Sequence, residues 1–240
     1  MHFFAVALSA LLPTAILALP TGQALPPTKS YPARQASVST SCDLSNVQLP
    51  FNATSPELTG ISAGLSLKKV VIGQGTQNYT CSSATASETP SAVGAVATFY
   101  DASCLVSTDG SLLSQLTGGL VEFSSTSSKV LAISEVLNED LVIGHHFFEN
   151  PKTPVFDFRM ADDKDILIAE KTDDVDAPSG SVSGTNGAVD WLKVTSKSAD
   201  SVGLTEGYRI FTAGGSPPTT CEDQDSDFTV SYAAEYWFYG

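Results

Sequence analysis

Basic residues are scarce in this chain. Only 12 lysines and arginines stand against 26 aspartates and glutamates, which gives a net charge of −14 at pH 7. Phosphate groups repel such a surface, so we expect no nucleic-acid partner and no binding to anionic membranes. A high net charge also keeps a secreted protein soluble.

Motifs for metals and cofactors are also missing. His2 belongs to the N-terminal leader, and His145 and His146 are neighbours that point to opposite faces of a strand. A three-histidine metal site is therefore excluded, and no metal site is predicted. The segment at 73–75 begins a G-x-G turn, but Asn78 stands where a third glycine is required. Because C-x-x-C pairs and a P-loop are also absent, no cofactor is expected.

Long apolar runs are confined to the start of the chain. Residues 1–19 have the composition of a secretory signal peptide, and residues 20–41, rich in Pro, Ser and Thr, are predicted to be a disordered spacer or propeptide. No other stretch is long enough to span a bilayer. Sequons at Asn52 and Asn78 predict glycosylation. We therefore expect a secreted, extracellular or cell-wall protein whose single folded domain covers residues 42–240.

Four cysteines follow the leader, namely Cys42, Cys81, Cys104 and Cys221. In the secretory pathway an even number indicates two disulfides that stabilise the fold. Their spacing leaves all three connectivities open.

The C-terminal residues 227–240 show a strict alternation of side chains. One face of a pleated strand would carry Phe228, Val230, Tyr232, Ala234, Tyr236 and Phe238. Trp237 and Tyr239 fall on the other face, so we expect neither face to be fully solvated. The pattern predicts a core strand that is paired on both edges.

Short strands separated by turn residues make up the rest, and the chain contains 18 glycines and 13 prolines. The predicted strands are 67–72, 76–81, 93–106, 120–123, 130–137, 141–148, 155–158, 166–169, 189–195, 208–212 and the C-terminal strand. The first two are predicted to form a hairpin with a glycine turn at 73–75, and residues 112–116 a short helical turn. The pattern predicts an all-β, single-domain sandwich or barrel of about ten short, mostly antiparallel strands with few short helices.

Six stretches carry a resemblance to a known family: GTQNYTC at 75–81, GAVATFYDASC at 94–104, GHHF at 144–147, VDWL at 189–192, TAGG at 212–215 and YAAEYWFY at 232–239. Over residues 42–239 the chain is similar to a secreted fungal and bacterial family catalogued as domain of unknown function 3455. Its fungal members are often labelled malate dehydrogenase, but hydride transfer needs a nicotinamide site that the sequence lacks. We therefore expect no dehydrogenase activity.

The resemblance supplies no catalytic residues, but it ranks candidates. Similarity to bacterial relatives favours His146 over His145 and draws attention to Gln77. It also favours a disulfide between Cys81 and Cys221, which leaves Cys42 and Cys104 as the second pair.

The leading hypothesis is a protein that binds an extracellular or cell-wall ligand, with polysaccharide as the first guess and a small molecule as the alternative. Its candidate ligand-binding residues are Gln77, Trp191 and Trp237, because strand aromatics form platforms for sugars, although such rings more commonly belong to the core. The competing hypothesis is an extracellular hydrolase or lyase, whose candidate acid–base groups His146, Tyr79 and Asp157 must then line one pocket. A third alternative is a structural or effector protein; the oligomeric state is left open.

Overall fold

The computed structural model describes residues 42–51, 58–122, 142–161 and 164–240. The strands are β1 Leu67–Thr80, β2 Ser91–Asp101, β3 Val142–Asn150, β4 Thr153–Asp157, β5 Ile166–Val175, β6 Trp191–Ser196, β7 Glu206–Gly214 and β8 Asp227–Tyr239, and the helix is α1 Ser103–Glu122. No helix in these ranges is long and apolar enough to cross a membrane. The predicted leader, the spacer, the sequon at Asn52 and the predicted strand 130–137 lie outside the described residues.

The eight strands form a closed antiparallel barrel. Each strand pairs with the next one in the chain, and β8 pairs with β1 to close the sheet. This confirms the predicted all-β class and selects a barrel over a sandwich. β8 lies between β1 and β7, with Tyr236 opposite both Val71 and Arg209, so the predicted pairing on both edges is also confirmed.

The hairpin predicted at residues 67–81 is wrong, because β1 runs unbroken through this segment. Its two central glycines serve close packing rather than a turn. A Cβ on Gly73 would lie 2.6 Å from the ring of Tyr236, and one on Gly75 would overlap the carbonyl oxygen of Val96. The glycines therefore let β1 approach both the barrel interior and β2 closely.

α1 replaces three predicted elements. The strand predicted at 93–106 ends at Asp101, the helical turn at 112–116 is part of a longer helix, and the strand predicted at 120–123 is wrong, because residues 120–122 are helical. The Oδ1 of Asp101 accepts a hydrogen bond of 2.9 Å from the first backbone N–H of the helix. Asp109 breaks the helical conformation, and its Oδ1 caps the second half by accepting backbone N–H groups two and three residues later.

Because side chains alternate along the strands, the barrel has two hydrophobic cores. The inner core fills the barrel with Phe99, Phe156, Phe158, Tyr232, Tyr236 and Phe238. The outer core packs the barrel against α1 and the N-terminal segment, residues 42–51. It contains Val70, Ile72, Leu113, Leu120, Trp191, Tyr208 and Trp237. β8 contributes to both cores, and from Tyr232 onward both of its faces are buried. Each large side chain that is fully buried stabilises the fold by about 1.5–3 kcal/mol.

Two disulfides join segments that are far apart in the chain. Cys42 and Cys104, 62 residues apart, join the N-terminal segment to α1. Cys81 and Cys221, 140 residues apart, join the end of β1 to the loop before β8. These are the pairs that the family resemblance favoured, and the barrel is therefore a disulfide-stabilised β protein.

Candidate functional site

The two ends of the barrel interior differ. One end is filled by Phe99, Phe158 and Phe238, whose ring centroids lie 5.1 to 6.0 Å apart. At the other end, where β3 turns into β4, a cavity of about 420 Å³ enters the barrel. It is lined by His146, Phe148, Pro151, Lys152, Pro154, Phe156, Glu170, Lys171, Leu192, Val194, Arg209 and Tyr236.

His146 is a neutral hydrogen-bond acceptor in the wall of this cavity. Its ring stacks on Phe156 with centroids 4.5 Å apart, and its Nδ1 lies 2.9 Å from the carbonyl oxygen of Val155. Because a carbonyl only accepts, Nδ1 carries the proton and Nε2 keeps a free lone pair. Burial lowers the pKa of His146 to about 4. His145 is exposed, since it faces away from the interior.

Arg209 is the cation of the cavity. On β7 it pairs with Leu192 of β6 and Tyr236 of β8, which places it on the inward face. Its Nη2 and Nε donate to the carbonyl oxygen of Asp190 at 2.9 and 3.3 Å. Among the described residues no carboxylate forms an ion pair with it. Within the described ranges, the half-buried guanidinium is therefore hydrogen-bonded to a neutral carbonyl, and the Asp190 carboxylate attracts it only from beyond ion-pair distance.

Two tyrosine hydroxyls complete the polar part of the interior. The hydroxyls of Tyr232 and Tyr236 lie 3.0 Å apart. Burial raises the pKa of both, while the positive charge of Arg209 lowers it in each. Both groups are consequently neutral near pH 7 and act as donors or acceptors of hydrogen bonds.

Gln77 and Tyr79 lie on the inward face of β1, but neither is among the residues that line the cavity. The hydroxyl of Tyr79 donates to the carbonyl oxygen of Gly215 at 2.8 Å, and burial raises its pKa to about 12. Tyr79 thus anchors the loop after β7. The Nε2 of Gln77 is buried and has no hydrogen-bond partner in the described part of the chain.

Asn78, the second predicted glycosylation site, is half-buried, and its Oδ1 accepts a hydrogen bond from the hydroxyl of Thr76 at 3.0 Å.

Asp157 is not part of the same pocket. It pairs with His145 in the sheet and so points away from the interior, whereas His146 pairs with Phe156 on the inward side. Its carboxylate binds Arg159 at 2.6 Å, and this hydrogen bond lowers the pKa of Asp157. The enzyme hypothesis required His146, Tyr79 and Asp157 in one pocket, and the structure does not bring them together.

The structure also contradicts the predicted aromatic platform for sugars. Trp191 and Trp237 are each only 2% exposed and belong to the outer core. Trp191 stacks on Phe51 with ring centroids 6.4 Å apart, and the Nε1 of Trp237 donates to Glu235 at 2.9 Å. These rings are inaccessible to a sugar, because α1 and the N-terminal segment cover that face of the barrel.

Sequence reasoning missed Arg209, which is the central residue of the cavity. The signal was a charged residue between Tyr208 and Ile210 in a predicted strand. Both apolar neighbours are fully buried in the outer core, so Arg209 must face inward. Only a barrel with an open end makes that position accessible.

The comparisons with known proteins identify a family and no activity. A family profile described as "Protein of unknown function (DUF3455)" matches residues 61–240. No curated protein and no solved structure matches the chain.

Proposed function

The chain belongs to the family of proteins of unknown function DUF3455, and we propose that it is a binding protein that holds a small organic molecule in the open end of its barrel. The observation that carries this proposal is the cavity of about 420 Å³ beside His146 and Arg209. Small-molecule sites have volumes of about 300–1,000 Å³ and combine apolar walls with a few polar groups.

The lining of the cavity fits such a ligand. Phe148, Phe156, Leu192 and Val194 offer an apolar wall. The phenylalanine-filled end of the barrel closes the bottom of the cavity. Much of the surface of a bound molecule would therefore be buried away from water. Burial of apolar surface supplies affinity at about 25 cal/mol per Å², while the polar groups set orientation.

Two observations favour a small molecule over the polysaccharide of the first hypothesis. The cavity enters the barrel rather than crossing its surface, and the tryptophans that would stack on sugars are buried. An extracellular setting remains part of the proposal, supported by the two disulfides and the apolar N-terminal run. Binding is favoured over hydrolysis because Asp157 points to the opposite side of the sheet from His146, and the hydroxyl of Tyr79 is bound to Gly215.

A bulky substitution in the cavity tests the proposal. Leu192→Trp fills the space, whereas Leu112→Trp adds the same bulk at a side chain of α1 that is 42% exposed. We expect the neutral dye Prodan to fluoresce on binding to the wild type and to Leu112→Trp, and to lose binding at least about tenfold in Leu192→Trp, in line with about 1.4 kcal/mol per factor of ten.

Equal binding of the dye to both variants would refute the site, as would no binding to the wild type. Retention of the wild-type protein on chitin, β-glucan, cellulose or pectin, unaffected by Leu192→Trp, would instead favour the polysaccharide hypothesis with a different surface.

A further inference from the structure

We infer that the molecule held in the barrel is an organic anion, whose negative group binds Arg209 while its apolar body lies against the rings of the cavity. The inference rests on the proposed function, because it names the chemical class of ligand for the same site.

The first argument is the state of Arg209. A guanidinium taken partly out of water is costly unless another charge compensates it. Here Nε and Nη2 donate to one backbone carbonyl, that of Asp190, which provides a dipole but no charge. The side chain lines the cavity, and no described carboxylate lies within ion-pair distance. The compensating charge can therefore come from a ligand, and a carboxylate matches the planar fork of N–H groups.

The second argument is that the histidine and tyrosines around Arg209 are neutral. His146 is neutral near pH 7, because burial lowers its pKa to about 4. Tyr232 and Tyr236 are neutral as well, because burial raises the pKa of each. Tyr236 pairs with Arg209 across the strands. The carboxylate of Asp190 also attracts Arg209 electrostatically, but it is not among the residues that line the cavity. An anion on Arg209 would thus meet a tyrosine hydroxyl beside it.

The third argument concerns the rim. Lys152 and Lys171 stand at the entrance with Glu170. Lys171 pairs with Asp174 at 3.0 Å, whereas Lys152 forms no ion pair among the described residues. Counting Arg209, the lining holds three cations and one carboxylate in a chain whose net charge is −14. The two rim lysines are matched in number by Glu170 and Asp174, so the surplus positive charge of the lining lies on Arg209, which attracts an anion into the cavity.

A matched series of ligands tests the inference without knowledge of the natural one. We would measure by calorimetry near pH 7 the binding of a naphthoic acid, the corresponding naphthamide and the corresponding naphthylmethylamine. A charge-assisted hydrogen bond to Arg209 should make the acid bind about tenfold or more tightly than the amide. The ammonium compound should bind most weakly of the three. In Arg209→Gln the acid should lose its advantage while the amide binds as before.

Arg159→Gln is the matched control, because it removes an exposed arginine that is paired with Asp157 outside the barrel. It should leave the preference for the acid unchanged. Equal affinities of acid and amide in the wild type, or a preference that survives Arg209→Gln, would overturn the inference. If the amide still bound and was blocked by Leu192→Trp, the proposed function would stand. If none of the three compounds bound, both would fail.

Discussion

Glu235 offers a sharp test of the energetics, because it is a carboxyl group inside the outer core. It is 1% exposed and lies on β8 opposite Ile72 of β1 and Ile210 of β7. Its Oε2 accepts the indole N–H of Trp237 at 2.9 Å, and its Oε1 has no partner among the described residues. Burial raises the pKa of Glu235 from 4.5 to about 8, although the bond from Trp237 lowers it.

The sign of the effect follows from proton binding. Between pH 4.5 and about 8 the folded protein keeps the proton of Glu235, and the unfolded chain has lost it. The free energy of unfolding then falls by about 1.4 kcal/mol per pH unit as pH rises. Across this window the loss amounts to about 4 kcal/mol. The contribution of Glu235 to the free energy of unfolding is therefore fully present below the pKa of the unfolded chain, and it is lost as pH rises to the pKa of the folded protein.

Glu235→Gln removes this dependence, because glutamine stays neutral and its carbonyl oxygen can still accept from Trp237. We expect the variant to match the wild type near pH 4.5 and to be more stable by about 4 kcal/mol near pH 8. Guanidinium denaturation of both proteins across this range, with the disulfides intact and tryptophan fluorescence as the signal, measures the difference. A difference between the two unfolding free energies that stays constant with pH would refute the reasoning.

Three further substitutions follow from the packing. Glu206→Gln should lower the free energy of unfolding by about 3–5 kcal/mol near pH 7, measured by urea denaturation, because it leaves the buried lysine partner on β6 without a counter-charge. The loss should shrink in acid below the lowered pKa of Glu206, and a loss that stayed constant there would contradict this. Replacing Cys81 and Cys221 by serine opens a loop of 140 residues and should lower the free energy of unfolding by about 4–5 kcal/mol. Urea denaturation measures the loss, and an unchanged midpoint would contradict it. Gly75→Ala should abolish or severely weaken folding, measured by circular dichroism, whereas Gly60→Ala, with open space around it, should be neutral; equal stability of the two would count against the close approach of β1 to β2.

Local patterns were reliable where one period dominated. In β8 the alternation predicted a core strand with neither face fully solvated, and Tyr236 and Trp237 do lie in different cores. In β1 the same reasoning failed, because glycine signals both a turn and a close approach, and only the neighbours of Gly73 and Gly75 distinguish them. The strand predicted at 120–123 failed because so short an apolar run fits a helix as well as a strand.

The candidate site was only partly visible beforehand. His146 was singled out and does line the cavity, but the aromatic platform was misjudged, because nothing in the sequence says that α1 covers Trp191 and Trp237. Arg209 escaped notice because its importance depends on its neighbours across two strands. Asp157 was grouped with His146, but the pairing of β3 with β4 places the two side chains on opposite sides of the sheet. That register cannot be deduced from the sequence.

The amino-acid order by itself determined that this chain forms strands, that neither face of its last strand is fully solvated, and that its cysteines suffice for two disulfides, since each depends on residues within a few positions or on a simple count. The closure of β8 onto β1, the side of the sheet that became the interior, and the meeting of His146, Arg209 and Tyr236 at one open end were decided only by the tertiary structure. They depend on strand register between segments far apart in the chain, and a shift of one residue would send each of these side chains to the opposite face.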